Sequence, residues 1–205
     1  MSNRLNAHWT VKMNEAGLIK GIQQGDHESF RILVKQYQQM VVNTCYGIVH
    51  DHADAEDLAQ EVFLEIYTSA GAFRGDASLS TWLYRIAVNR SLNLVRDRKR
   101  RGLFQSLEDA FTGGKNRNRE ITAQPGDQPE GHLADQQRAD MLHRAIDRLP
   151  EKQRIAFTLN KYEELSYKEI AEVMEISLSA VETLIHRAKL NLQKQLYACY
   201  KKKCI

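Results

Sequence analysis

Apolar residues recur at intervals of three and four along both halves of this 205-residue chain. In the N-terminal half the interval holds over two stretches, which contain Phe30, Leu33, Val34, Tyr37 and Val41, and then Leu58, Val62 and Ile66. Such spacing places apolar side chains on one face of an α-helix, whereas a half-buried strand alternates at every second residue. The pattern therefore predicts an all-α protein.

The apolar interval is interrupted between Gly102 and Gly131. That segment contains five of the eleven glycines and two of the three prolines, a composition that favours a flexible linker. Beyond it the interval returns and predicts helices at about Leu133–Arg148, Glu151–Tyr162, Tyr167–Met174 and Leu178–Tyr197. We expect two small helical domains, over residues 25–101 and 132–205, joined by a flexible linker over 102–131. Residues 1–24 are expected to form an N-terminal extension and the start of the first helix.

A helix-turn-helix is predicted in the C-terminal domain. Ser166 and Glu169 have the spacing of a capping box, which begins a short helix, and the segment 175–177 separates that helix from a longer one. The outward face of the second helix carries side chains suited to the major groove of DNA, namely Ser179, Glu182, Thr183, His186, Arg187 and Lys189. An αα-corner inside an ordinary bundle is the alternative.

Two acidic residues depart from the usual form of such a motif. Glu175 stands in the turn where glycine is usual, and Glu182 presents a carboxylate to a polyanion. Glu182 can instead close a second capping box with Ser179, or accept a hydrogen bond from the amino group of a cytosine. The sequence leaves both roles open.

The segment from Phe73 to Arg101 combines aromatic rings, two asparagines and concentrated positive charge. Between Arg85 and Arg101 it has seven basic residues and one acidic residue, although the whole chain has a net charge of only +3. Basic side chains neutralise phosphates, and flat rings and guanidinium planes stack on unpaired bases. The segment is a candidate for binding single-stranded nucleic acid, and a solvated helix face with Trp82 in a core is the alternative.

The segment before it has the opposite charge. No lysine or arginine occurs between residues 51 and 73, and Asp54 is placed to cap a helix there. Asp57, Glu61 and Glu65 follow at intervals of four and form a ridge that repels itself unless a cationic partner covers it. A protein partner for this ridge is the main hypothesis, and a solvated acidic face is the alternative.

Several other classes of protein are disfavoured. No apolar run reaches the roughly 20 residues of a transmembrane helix, and no signal-peptide pattern opens the chain, so we expect a cytoplasmic protein without membrane insertion. The three cysteines share no metal-ligand spacing. His50 and His52 superficially resemble metal ligands, and a metal-dependent enzyme centred on them is the weakest hypothesis. We expect no cofactor, no metal and no catalytic residue.

Several motifs then occur in the order typical of one family. They are DAEDLAQEVF from Asp54 to Phe63, FRG from Phe73 to Gly75, STWLYRIAVN from Ser80 to Asn89, Leu149-Pro150, and LSYKEIA from Leu165 to Ala171. Together they resemble the extracytoplasmic-function sigma factors, which are small, sigma-70-like initiation subunits of bacterial RNA polymerase. The resemblance extends from about Gly25 to Leu196.

The resemblance implies a role for each segment. The acidic segment would dock on the polymerase clamp through Asp54, Asp57, Gln60, Glu61, Phe63 and Leu64. The basic segment would capture and melt the minus-ten promoter element through Phe73, Arg74, Ser78, Ser80, Trp82, Arg85, Asn89, Arg90, Arg96, Arg98, Lys99 and Arg100, with the loop from Arg74 to Ser80 holding a flipped base. The helix-turn-helix would bind the minus-thirty-five element through Ser177, Ser179, Glu182, Thr183, His186, Arg187 and Lys189. Core RNA polymerase, promoter DNA and an anti-sigma factor are the partners that the family implies.

A free-standing helix-turn-helix regulator is the competing interpretation. Its N-terminal bundle would sense a ligand or dimerise. A sensor does not require an acidic helix followed by a basic one, so this pairing favours the initiation factor.

Overall fold

The computed structural model describes the backbone of residues 15–111 and 130–201, and the side chains of residues 15–106 and 138–197. Over these ranges the regular structure is helical, as the apolar spacing predicts. The helices are α1 (residues 15–23), α2 (His27–Val49), α3 (His52–Ser69), α4 (Leu79–Phe111), α5 (Glu130–Asp147), α6 (Glu151–Lys161), α7 (Tyr167–Met174) and α8 (Leu178–Lys201), with a 3₁₀ turn at Ala70–Ala72.

The first domain is a bundle of α1 to α4. Leu33 and Val41 of α2, Ile66 of α3 and Leu83 of α4 are fully buried in its core. Helix α1 also belongs to this core, because Leu18, Ile19 and Ile22 are buried as well. The domain therefore includes residues before residue 25, where its start was predicted, and residues 1–14 lie outside the described part of the chain.

The first part of the predicted linker is helical. Helix α4 continues through Gly102 to Phe111, so residues 102–111 are helical. One exposed glycine costs a helix about 1 kcal/mol, which does not end a helix of 33 residues whose next residues are good helix formers. Helix α5 likewise starts at Glu130. The remainder of the predicted linker, residues 112–129, lies outside the described residues.

The helix that carries the acidic segment is capped by a different aspartate from the one predicted. The side chain of Asp51 accepts a hydrogen bond from the Asp54 amide at 3.0 Å, so Asp51 is the N-cap of α3. Asp54 lies in the first turn, where its charge complements the helix dipole. Its carboxylate forms an ion pair with Arg98 of α4.

The second domain contains the predicted helix-turn-helix in α7 and α8. The capping box is confirmed, since the Ser166 hydroxyl accepts from the Glu169 amide and the Glu169 carboxylate accepts from the Ser166 amide. Helix α8 is capped by Ser177, whose hydroxyl accepts from the Ala180 amide at 3.2 Å. The suggested second box between Ser179 and Glu182 is therefore wrong, because both residues lie inside the helix.

The two domains pack against each other along an interface that we call the seam. Tyr84 and Val88 of α4 share an apolar cluster with Ile155, Leu159 and Ile170 of the second domain. The backbones also approach closely, since the Thr158 hydroxyl donates to the carbonyl oxygen of Gly47 at 3.2 Å. Nothing in the helical spacing of the sequence predicted this contact.

The seam contains a carboxyl group whose protonation is linked to stability. Burial raises the pKa of Glu163 to about 7, although the Tyr84 hydroxyl donates to its Oε2 at 3.2 Å. In an unfolded chain the pKa of a glutamate carboxyl is about 4.3. A group whose pKa is higher in the folded than in the unfolded state stabilises the fold. This contribution is fully present below the unfolded-state pKa and is lost as the pH rises through the folded-state pKa.

We expect the Glu163→Gln variant to lose this pH dependence. Between about pH 5 and about pH 8, the free energy of unfolding in urea should fall by about 1–2 kcal/mol more in the wild-type chain than in the variant, after allowance for partial solvation of the carboxyl. His143 also contributes to the pH dependence, because burial lowers its pKa, and its contribution to stability changes with pH in the opposite direction. Both chains contain His143, so the difference between their pH profiles reports on Glu163. Parallel pH profiles would contradict the prediction.

Candidate nucleic-acid interface

Helix α4 forms one wall of a surface groove. Trp82, Arg85 and Asn89 follow one another at intervals of three and four, so they lie on the same side of the helix. The groove has a volume of about 490 Å³ and is lined by Glu65, Trp82, Arg85, Ile86, Asn89, Arg90 and Asn93. We call it the α4 groove. It combines one aromatic ring, two amides and two guanidinium groups in a space large enough for a nucleobase.

The Trp82 ring serves both the core and the groove. It is partly buried against the core of the first domain, and its centroid lies 4.8 Å from that of Phe73. Its remaining surface lines the α4 groove. Trp82 was predicted to be either a core residue or a nucleic-acid contact, and these two roles are compatible. Packing holds the ring in one orientation while part of it stays accessible.

The loop before α4 is shaped by a glycine and a serine network. Gly75 has a φ of +77°, a conformation that residues with a Cβ rarely adopt. The Ser78 hydroxyl caps α4 by accepting from the Thr81 amide at 3.1 Å, and it lies 2.9 Å from the Ser80 hydroxyl. Ser78 and Ser80 thus define the start of the helix, while Arg74 is exposed at the tip of the loop.

Helix α3 presents a second candidate surface. Asp57, Gln60, Glu61 and Leu64 are exposed at helical intervals and form what we call the α3 face. Leu64 is 63% exposed and adds an apolar side chain to this otherwise polar face. Phe63 is only 6% exposed and packs in the core, where it supports this surface from beneath, and its direct contact with polymerase stays a prediction.

The outward residues of the helix-turn-helix are exposed as predicted. We call this surface the α8 face, and it comprises Ser177, Ser179, Glu182, Thr183, His186, Arg187 and Lys189. The Thr183 hydroxyl donates to the carbonyl oxygen of Ser179 at 2.9 Å. The buried side of the same helix, with Val181, Ile185 and Ala188, holds α8 on its own domain.

Both domains match known sequence families. Sigma-70 region 2 matches residues 33–101, and Sigma-70, region 4 matches residues 139–192. The RNA polymerase sigma-H factor of Pseudomonas aeruginosa is 36% identical over 182 residues, which cover 87% of this chain and 92% of the relative. The ECF RNA polymerase sigma factor SigW of Bacillus subtilis is 34% identical over 178 residues, with 87% and 94% covered. This chain belongs to the extracytoplasmic-function sigma factors.

Solved structures share the fold of this sigma factor. CnrH, solved in complex with the cytosolic domain of CnrY, has a TM-score of 0.62 at 21% identity, with 90% of this chain and 97% of that chain covered. The sigma factor RpoE of Bartonella quintana, solved in complex with the anti-sigma factor NepR, has a TM-score of 0.57 at 20% identity, with 83% and 98% covered. At these identities the two structures support the fold.

Most basic residues of the sigma factor's helix α4 already have acidic partners. Besides Arg98 with Asp54, the pairs are Arg85 with Glu175, Arg90 with Glu61 and Glu65, Arg96 with Glu151, and Arg100 with Asp97. Lys99 and Arg101 have no ion-pair partner among the described residues. Exposed pairs of this kind exchange readily, so they do not prevent phosphate binding, but any anion that binds these side chains must displace their carboxylate partners.

The acidic ridge of this sigma factor is partly covered from within. The Arg90 guanidinium lies 3.2 Å from Glu61 and 2.7 Å from Glu65, and the hydrogen bond that Arg90 donates to Glu65 raises the pKa of Arg90. Two of the three ridge carboxylates thus have a cationic partner within the chain, Arg90, in addition to any partner protein. Asp57 forms no ion pair within the described part of the chain and remains available to a partner protein.

Sequence reasoning missed two groove residues, Glu65 as a wall of the groove and Asn93 as a second amide near Asn89. Asn93 follows Asn89 by four residues, and that spacing could have identified it. The two histidines of the metal hypothesis stack on different rings, since His52 stacks on Tyr46 at 4.2 Å and His50 on His143 at 4.4 Å. Among the described residues, no group of three or more His, Cys, Asp and Glu side chains is arranged to hold a metal ion. Nor does any helix in the described ranges have the length and apolarity needed to cross a membrane.

Proposed function

We propose that this sigma factor holds core RNA polymerase through the α3 face, captures the melted minus-ten strand in the α4 groove, and reads the minus-thirty-five duplex with the α8 face. The observation that carries the proposal is the α4 groove, because it places Trp82 and Asn89 around a cavity of nucleobase size. An extracted base there meets a ring on which it can stack and an amide that both donates and accepts hydrogen bonds.

The exposed residues of the α3 face support its role as a docking surface. The exposed leucine offers apolar contact, and the carboxylates beside it offer charge complementarity to a basic partner. The partner surface is expected to be basic. Docking there leaves the α4 groove on the neighbouring helix open to DNA.

The position of the α8 face supports a role in duplex recognition, because α8 is the second helix of the helix-turn-helix. Arg187 and Lys189 are suited to phosphates or guanine edges, and Ser179 and Thr183 to neighbouring groups. Glu182 is exposed on this face and is free of a capping role, so we assign it to a cytosine amino group in the minus-thirty-five element.

Regulation by an anti-sigma factor in the cytoplasm is a further part of the proposal. It is supported by the structure of the Bartonella quintana sigma factor, which was solved in complex with the anti-sigma factor NepR. The free-standing regulator has weaker support, because the relatives are RNA polymerase sigma factors along almost their whole length.

Transcription in vitro tests the proposal. Core polymerase with the purified chain and a library of genomic promoter fragments should yield transcripts with defined start sites, and core polymerase alone should not. A chain that binds duplex DNA tightly by itself, but yields no transcript with core polymerase, would instead support the regulator.

A further inference from the structure

Arg85, a groove residue of the first domain, is bound by the turn of the helix-turn-helix. Its Nη1 lies 3.0 Å from Oε1 of Glu175, and its Nη2 donates to the carbonyl oxygen of Glu172 at 2.7 Å. Both terminal nitrogens of Arg85, which would bind a DNA strand, are therefore occupied by acceptors from the second domain. Carboxylate and carbonyl oxygens here take the positions of phosphate oxygens.

Glu175 is held in an unfavourable backbone conformation. It ends α7 in the left-handed region with a φ of 54°, where glycine is the preferred residue and where the turn of this motif usually has glycine. Its side chain extends from that turn to Arg85. A glycine would satisfy the turn without strain but would leave the guanidinium without its carboxylate.

Further contacts fix the turn against α4. The apolar cluster of the seam joins α4 to α6 and α7, and Arg96 donates through Nε to Glu151 at 2.9 Å. The close approach of Gly47 to the second domain also matters, since a Cβ at Gly47 would lie 2.6 Å from Cγ2 of Thr158. The seam therefore brings acidic groups of the second domain to two arginines assigned to DNA.

We propose that Glu175 is an internal ligand that mimics a phosphate, holds the second domain against α4 beside the α4 groove in the free chain, and competes with the promoter strand for Arg85. This inference rests on the proposed function, since it takes Arg85 to be a DNA contact. Opening of the seam on polymerase would release Arg85. The free chain would then bind single strands weakly, and the polymerase-bound chain would bind them well.

The Glu175→Gly variant tests the proposal without loss of folding, because glycine relieves the strained turn. Free in solution, it should show a larger radius of gyration by small-angle scattering than the wild-type chain. It should bind a fluorescent single strand of roughly 20 nucleotides about three- to fivefold more tightly. Glu172→Gln is the matched control, because it removes a charge from the end of α7, next to the turn, but leaves the carbonyl oxygen that binds Arg85.

The Gly47→Ala variant opens the seam by a different route. The added methyl group collides with Thr158, while alanine favours helix α2. This variant should also expand and bind the single strand more tightly. Unchanged size and unchanged strand affinity in Glu175→Gly would overturn the proposal, as would expansion of both variants with no gain in strand affinity.

Failure of the proposed function has a separate readout. In that case wild-type chain and core polymerase would yield no promoter-specific transcript, whatever the size of the free variants. If the proposed function and the inference both hold, Glu175→Gly should retain wild-type transcription with core polymerase, because the seam is already open there.

Discussion

The Asn89→Ala variant is expected to open promoters about 10- to 100-fold less efficiently than the wild-type sigma factor, with unchanged affinity for core polymerase. Asn89 is exposed on the α4 groove between Arg85 and Asn93, and a well-placed amide contributes roughly 1–3 kcal/mol to discrimination between bases. Alanine removes both the donor and the acceptor and leaves the helix intact. Promoter opening can be followed by permanganate reactivity of unpaired thymines.

Loss of base preference should accompany the loss of opening. Promoters substituted at each minus-ten position should show a smaller spread of opening rates with Asn89→Ala than with the wild-type chain. Asn43→Ala is the control, since it removes an asparagine from α2 that bonds to Gln39 on the surface. If Asn89→Ala weakened polymerase binding instead, the assignment of α4 would be wrong.

The Asp57→Lys variant is expected to lower the affinity for core polymerase by at least about tenfold. Charge reversal places a like charge against the basic partner surface, which costs up to several kcal/mol at a close interface. Asp57 is a better probe than Glu61, because reversal at Glu61 would also break its ion pair with Arg90. Binding to labelled core polymerase can be measured by fluorescence anisotropy at two salt concentrations.

A neighbouring carboxylate provides the control for Asp57. Glu56→Lys makes the same charge change on α3, but it projects about 100° around the helix from Asp57. It should retain most of the polymerase affinity, whereas Leu64→Ala should lose a measurable part of it because Leu64 belongs to the α3 face. Equal losses for Glu56→Lys and Asp57→Lys would indicate a general charge effect rather than a docking surface.

Local sequence patterns predicted the elements of this protein well because their causes are local. The capping box of Ser166 and Glu169 requires three residues of spacing, and the buried faces of α2 and α8 follow from apolar positions within one helix. The same reasoning failed at the ends of helices. Asp51 rather than Asp54 caps α3, and α4 passes through Gly102, because neighbouring turns compete and the difference between them is small.

The sequence by itself determined two helical domains, a helix-turn-helix and the charge of each candidate surface, since periodicity, capping and composition need no tertiary contact. Only the tertiary structure decided which charged side chains have a partner within the chain. Arg90 pairs with Glu65, 25 residues earlier in the chain, and Arg85 donates to the carbonyl oxygen of Glu172 in α7, 87 residues later. The folded core also decided that Phe63 is buried and that Trp82 has one accessible part. Contacts at such separations depend on how the helices pack, and no periodic pattern within a single helix encodes them.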